Sequence, residues 1–451
     1  LVIIIISLFF ILINQSLPSL VSLPGEVRPD FPSTLSVIKK VLTGKQILFG
    51  SGPATFSYDY ARFRPVGLNQ TAFWSMRFNQ GFSFLFTLPA TLGTAGVLAF
   101  LFLLFSLSRR GLRVIKEKSF LVIVAGLSFL IICLFVYPAF FTQLFFVFFG
   151  LGLLTVESTE SLGIDFYEGR KWQKIRGLAV FLTVILLLTF VLFAFYLTGQ
   201  KYTGAVYYQK GLLSSSLDQS LNNLDKAARL DSQSDQYLRT LSQTLIAKSN
   251  EITEVVQFQN IIVSAINSGR RAIALNPMDA LNWSNLANIY ENVIPTKDAD
   301  VFAEQNYRKA IELEPKNPQG FVDLARVLTA SADQSREKDV AWQEKLNKAK
   351  SALEESIGLK ADYAPAHFLL AQIYIREGNL TKAIERVAEV KRANLGDAGL
   401  AFQLGILYYR NDQMEPARSE FERAVALNEN YSNARYFLGL IYDQKGRKRE
   451  A

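Results

Sequence analysis

The 451-residue chain has a single cysteine and a single histidine. Cys133 alone cannot close an internal disulfide or build a cysteine zinc cluster. His367 alone excludes an HExxH metalloprotease site and any ligand set that needs two histidines. A Ser-His-Asp triad would have to recruit that one imidazole. No Walker A phosphate loop and no Gly-x-Gly-x-x-Gly fingerprint occurs, so no metal and no cofactor is expected. Charge is also absent over long stretches, but only in one part of the chain. Residues 1–199 hold 16 Lys+Arg and 8 Asp+Glu, whereas residues 200–451 hold 32 of each. The net charge of +8 therefore belongs to the first part. The balanced second part lacks the basic face that nucleic acid needs.

What the first part has is long apolar runs, and a membrane span needs about 20 such residues. Five candidates occur: Leu1–Ile13, Phe84–Leu107, Phe120–Tyr137, Ala139–Val156 and Leu178–Thr198. Pro138 alone separates the third from the fourth, which predicts a tight helical hairpin. Trp74 and Trp172 flank spans, as interfacial aromatics do. The loop Ser108–Ser119 carries five basic residues and Glu157–Gly177 carries four, which predicts that both are cytoplasmic. The long segment Asn14–Ser83 and everything beyond Gly199 then lie outside the cytoplasmic membrane. The chain begins inside an apolar run and stops part-way through a repeat, so it reads as a fragment lacking both termini.

Asn14–Ser83 is long for a connection between spans, and its aromatics, from Phe49 to Phe78, predict order. Leu35, Ile38, Val41 and Leu42 recur at helical spacing and predict a short amphipathic helix. Gly50-Ser51-Gly52-Pro53 permits a tight turn before Phe56. Seven basic residues against Glu26, Asp30 and Asp59 leave this loop at +4.

This order of features resembles the O-antigen ligase/polymerase superfamily of bacterial membrane glycosyltransferases. Ile47–Phe56 is similar to the Gly-x-Gly-x-x-x-Phe segment of the family's substrate loop. Leu92-Gly93-Thr94-Ala95-Gly96 is similar to its Gly-x-x-Gly helix. The resemblance covers residues 1–110 and, with the remaining spans, 1–199. It implies transfer of a glycan from a polyprenyl-diphosphate carrier outside the cytoplasmic membrane, without metal or nucleotide. It also implies arginines that hold the diphosphate, for which Arg62, Arg64 and Arg77 are the candidates. A lipid headgroup would suit the same cations. The family's activating histidine falls at Phe82-Ser83, or at Phe78-Asn79 if the segment is longer. A phenyl ring cannot accept a proton, so the catalytic residue is unknown. Asp59 could substitute, although two neighbouring arginines should lower its pKa and make it a poor base. Glu157, Glu160 and Asp165 fall on the cytoplasmic side and read as solvated loop.

Beyond Gly199 the sequence becomes periodic. Ala364, Ala398 and Ser432 start units 34 residues apart. Leu370-Ala371 with Tyr374, Leu404-Gly405 with Tyr408, and Leu438-Gly439 with Tyr442 mark first helices. Ala383, Val387 and Val390, then Ala417, Phe421 and Ala424, mark second helices. Gly378 and Gly446 sit at matching turns. The pattern resembles the tetratricopeptide repeat (TPR), with earlier copies carrying insertions such as Asp333–Lys348. Six copies are predicted from Lys201 and a seventh cut short at Ala451. His367 takes a first-helix slot held by Trp283 and Phe321 elsewhere, so packing or a groove role is its expected use.

The expected protein is all-α, a polytopic transmembrane bundle (1–199) followed by an extracytoplasmic TPR solenoid (200–451). Two functions fit. One is a multi-pass enzyme of cell-surface glycan assembly acting on a polyprenyl-diphosphate-linked glycan. The other is a catalytically silent, membrane-anchored scaffold that holds a protein or peptide in its TPR groove.

Overall fold

The computed structural model describes residues 27–114, 118–156, 170–294, 296–334 and 339–444. The expected first span, the acidic residues Glu157, Glu160 and Asp165, and Gly446 lie outside them. The described residues are helical throughout, with no strand. They form two compact units: Leu1–Leu68 with Ser75–Gln200, and Asn69–Trp74 with Lys201–Ala451.

The first unit opens with α1 (Phe31–Val41), α2 (Gln46–Phe49) and α3 (Phe56–Phe63), followed by a 3-10 turn at Val66–Gln70 that ends in the second unit. Asp30 caps α1 by accepting from the Ser33 amide at 2.9 Å, and Pro32 stands in its first turn. The buried face of α1 is Ser33, Thr34, Val37, Ile38 and Val41, so Val37 takes the place expected for Leu35. Val37, Ile38 and Val41 pack with Phe56, Tyr60 and Ala90 into one small core.

α4 (Phe84–Val114) is broken at Gly93, whose φ of 63° and ψ of −165° leave the helix. α5 (Lys118–Val136) and α6 (Phe141–Val156) form the hairpin expected around Pro138. Leu127, Leu134, Val147 and Leu151 close it, and Gly150 lets the Leu127 side chain lie against the facing backbone. Among the described residues, two helices are long and apolar enough to cross a membrane, through Phe84–Ser106 and Phe181–Leu212. The apolar stretches Leu121–Val136 and Phe141–Leu153 are shorter than the spans expected there.

α7 (Arg170–Leu212) continues past Gln200, where the second unit begins. There Gly204 and Gly211 face Leu224, Ala227 and Leu230 of α8 (Leu217–Leu230). Helical hairpins follow: α9 (Asp235–Ser249) with α10 (Val255–Leu275), α11 (Ala280–Glu291) with α12 (Ala299–Leu313), and α13 (Pro318–Asp333) with α14 (Val340–Leu359). Then come α15 (Ala364–Arg376) with α16 (Leu380–Ala393), α17 (Ala398–Arg410) with α18 (Met414–Leu427), and α19 (Ser432–Gln444). Caps set the helix starts: the side chains of Asp279, Asn317, Asp339, Asn379 and Asp397 each accept from a first-turn amide. Alanines 287, 303, 325, 349, 371, 383 and 417 are buried at the helix crossings. Gly405 makes room for the Phe421 ring, which a Cβ would meet at 2.6 Å. Gly378 turns the chain at φ 81°, and 34 residues later Asp412 does so at φ 57°, a conformation that Asp tolerates better than most side chains.

Candidate functional site

In the first unit, the two glycine motifs of the sequence meet. The break at Gly93 takes the carbonyls of Ala90 and Thr91 out of the helical ladder. The Ser51 and Gly52 amides donate to them, each at 2.9 Å. Neither motif tolerates a Cβ at the crossing. One at Gly93 would lie 2.5 Å from the Gly50 nitrogen, and one at Gly50 would lie 2.5 Å from the Thr91 carbonyl carbon. Small residues here permit backbone-to-backbone contact.

This crossing holds Ser51 over α3. Ser51 Oγ hydrogen-bonds the Asp59 carboxylate and lies 2.6 Å from Thr55 Oγ1. Burial pushes the Asp59 carboxyl above its ordinary range. The hydroxyls of Ser51 and Thr55 and the charge of Arg62 pull it down by less. The lowered pKa expected from two adjacent arginines is thus reversed, because desolvation outweighs the pull of Arg62. Ser51 and Thr55 were not among the sequence candidates, and their spacing four and eight residues around one helical start was the available signal.

The three arginines have different surroundings. Arg62, in the last turn of α3, is exposed, with its guanidinium 5.3 Å from the Phe63 ring centroid. Arg64, the C-cap residue of α3, is only 6% exposed, so it does not present an open cation. Arg77 is half-buried in the segment leading to α4.

Both alternatives for the family's histidine are packing positions. Phe78 meets Tyr60 edge-on at 5.2 Å. Phe82 lies against Phe31 and Phe86, and the Arg28 guanidinium sits 4.5 Å from its ring centroid and 5.0 Å from that of Tyr137. Arg28 also donates to the Phe82 carbonyl at 3.0 Å and to the Val136 carbonyl, where it caps the negative end of α5. A single basic residue far from any motif gave no sequence signal for this clamp.

In the second unit, a polar chain links consecutive first helices. Arg326 binds Glu291 at 2.9 Å and Asp323 at 3.0 Å, and Tyr307 donates to Glu291 at 2.8 Å. Burial raises the pKa of Asp323 and of the Tyr307 phenol, whereas the Glu291 carboxylate raises that of Arg326. Gln319 donates to Asp323 at 2.7 Å and accepts from the Tyr363 hydroxyl. The Tyr363 phenol is pushed up to about 12, mainly by burial. His367 is buried in α15, with Nε2 2.9 Å from the Ala361 carbonyl, in the packing slot expected of it.

Tyr363 also meets one of the six loop residues that belong to this unit. Trp74, expected at a membrane interface, meets it edge-on at 5.4 Å. Asn69 is fully buried, and its amide donates to the Lys316 carbonyl at 2.9 Å and the Leu359 carbonyl at 3.2 Å.

Models of the tetratricopeptide repeat match residues 343–404 and 398–431. These repeats are TPRs. The human Protein O-mannosyl-transferase TMTC3 is 23% identical over 253 residues, which are 49% of this chain and 27% of that protein. The chain thus spans about a quarter of the curated relative it matches. Among solved structures, the Thermus thermophilus TPR protein TTC0263 is 17% identical, with 44% of this chain and 98% of that one covered at a TM-score of 0.33. Pseudomonas aeruginosa PilF is 18% identical, with 53% and 98% covered at 0.36.

Proposed function

We propose that this chain is a membrane-anchored TPR protein whose repeats bind a protein or peptide partner, in the setting of cell-surface glycan assembly. One helix carries the reading. Phe181–Gly199 of α7 is free of charged residues and exposed throughout, and the same helix runs directly into the TPR unit. Exposed apolar surface of that length is unfavourable in water by about 25 cal/mol per Å² and suits lipid. In this reading Phe84–Ser106 is a second span, the hairpin α5–α6 completes a multi-pass domain, and the basic loops favour an extracytoplasmic position for the repeats. Similarity to a named O-mannosyl-transferase supports the glycan setting. Two experiments test this. The full chain should stay in the membrane fraction through an alkaline carbonate wash, because more than one span holds it. Photo-reactive residues at the exposed first-helix positions Asn288 and Gln372 should capture a defined partner in intact cells. A chain that the wash extracts, or that captures nothing from either position, overturns the reading.

A second reading, O-antigen ligase-like transfer, is favoured by the junction of Gly50–Gly52 with the broken helix and by the buried Asp59 beside it. In this reading Arg62, Arg64 and Arg77 hold the diphosphate of a polyprenyl-linked glycan, with Arg64 acting from inside the loop. Asp59, its affinity for protons raised by burial, takes the proton of the acceptor hydroxyl. The acceptor oxygen bonds the anomeric carbon, and the polyprenyl diphosphate leaves with the electron pair. Turnover of a lipid-linked glycan should fall at least about 100-fold in Asp59→Asn. Unchanged turnover in an Arg62, Arg64 and Arg77 triple-alanine variant would remove the diphosphate assignment. No turnover in the intact chain removes this reading and leaves the first.

A further inference from the structure

Six residues of the outer loop, Asn69–Trp74, are part of the compact unit formed by the repeats. They are seated by three kinds of contact. The Asn69 side-chain amide spends its two protons on two carbonyls, those of Lys316 and Leu359. Leu359 is the last residue of α14, and Lys316 lies one repeat earlier in the turn between α12 and α13, past the end of α12 at Leu313. The Leu359 carbonyl, at a helix end, has no partner within the helix and carries its negative pole, and the Lys316 carbonyl in the turn needs a donor as well, so a neutral double donor suits both. Five residues on, Trp74 lies edge-on to Tyr363 and packs against the main core of the repeats. The Lys360 ammonium sits 6.0 Å from the indole centroid. Between the two anchors the segment folds on itself, with the Trp74 amide donating to the Thr71 carbonyl at 3.3 Å.

We propose that the turn after α12 and the end of α14, with Lys360 and Tyr363, form a peptide-binding site of the TPR unit that recognises an asparagine followed five residues later by an aromatic, and that this chain's own Asn69–Trp74 fills it. The site reads side-chain amide and indole, not charge. Its occupant arrives in cis, at the high effective concentration of a tethered ligand. The inference requires neither the membrane anchor nor an external partner, and it is separate from any ligand of the first-helix surface.

The test uses the full chain in detergent. Hydrogen exchange is followed in peptides covering 66–76 and 355–366, with residues 398–427 as the control for folding. In an Asn69→Ala, Trp74→Ala double variant, exchange should rise at least about tenfold in both test segments while the control stays protected. A fluorescent synthetic peptide of residues 66–76 should then bind the double variant at least about tenfold more tightly than the wild type, whose site is already filled. Adding Tyr363→Ala to the double variant should abolish that binding. Should the double variant lose protection in the control segment, a single replacement decides: benzoylphenylalanine in place of Trp74, in an otherwise unaltered chain, should photo-cross-link to the 355–366 peptide. Unchanged exchange with the control intact, equal peptide binding to both chains, or no cross-link into 355–366 would overturn the proposal.

Discussion

In the first unit the Gly50–Gly93 crossing brings two backbones together, whereas in the TPR unit Gly405 receives a side chain. The Gly50–Gly93 crossing joins two main chains through the hydrogen bonds of Ser51 and Gly52. Gly405 in the repeats instead meets the ring of Phe421. A backbone crossing has no way to yield, because the atoms that would have to move are themselves hydrogen-bonded. A side-chain socket can adjust rotamers and pass strain to its neighbours in the stack. The two regions should therefore fail differently when disturbed.

The largest effect is expected in the repeats. Phe421→Ala removes a fully buried ring and should destabilise α17 and α18 by about 3–5 kcal/mol. Because solenoid units contact only their neighbours, amide protection should fall in 398–427 and persist in 280–313. Loss of protection across the whole array would show instead that the TPR unit is one cooperative block.

Gly93→Ala should cost about 1–3 kcal/mol, since the added Cβ overlaps backbone and the positive φ strains any side chain. The amides of Ser51 and Gly52 should exchange faster, as their acceptors at Ala90 and Thr91 move away. If those two amides stay protected, the crossing yields after all and the contrast with the repeats disappears.

The smallest effect concerns Asp59. Its folded-state pKa lies above the ordinary 3.8, so the unfolded chain gives up this proton first as pH rises. Stability from this group is complete below 3.8 and is lost as pH climbs through the raised folded value. Asp59→Asn should flatten the stability profile just above 3.8, read by denaturant titration at several pH values. An unchanged profile would mean that the carboxylate is solvated.

The 34-residue period made the repeat hairpins legible, because each buried position is local to one helix and recurs. The amphipathic α1 was legible as an element but not in its buried face, since Thr34 and Val37 are selected by the facing Phe82 amide and by Phe56, Tyr60 and Ala90. Apolar runs predicted spans, but α5 and α6 end on either side of Pro138 with shorter apolar stretches than a crossing helix. The candidate site was partly legible. Arg62 and Asp59 were named from the sequence, yet the direction of the Asp59 shift required knowing that its burial outweighs the Ser51 and Thr55 hydroxyls and the Arg62 charge. Asn69 and Trp74 could not be assigned, because their partners lie some 250 to 290 positions away along the chain.

The Gly50–Gly93 junction also closes a ring. Residues 51–92 leave and return at one hydrogen-bonded crossing, so the segment between is a cassette with fixed ends. Closure entropy grows only logarithmically, at about 0.6 kcal/mol for each doubling of length. Lengthening or replacing the middle of the cassette would therefore leave its gate almost undisturbed, whereas one methyl group at either glycine would not.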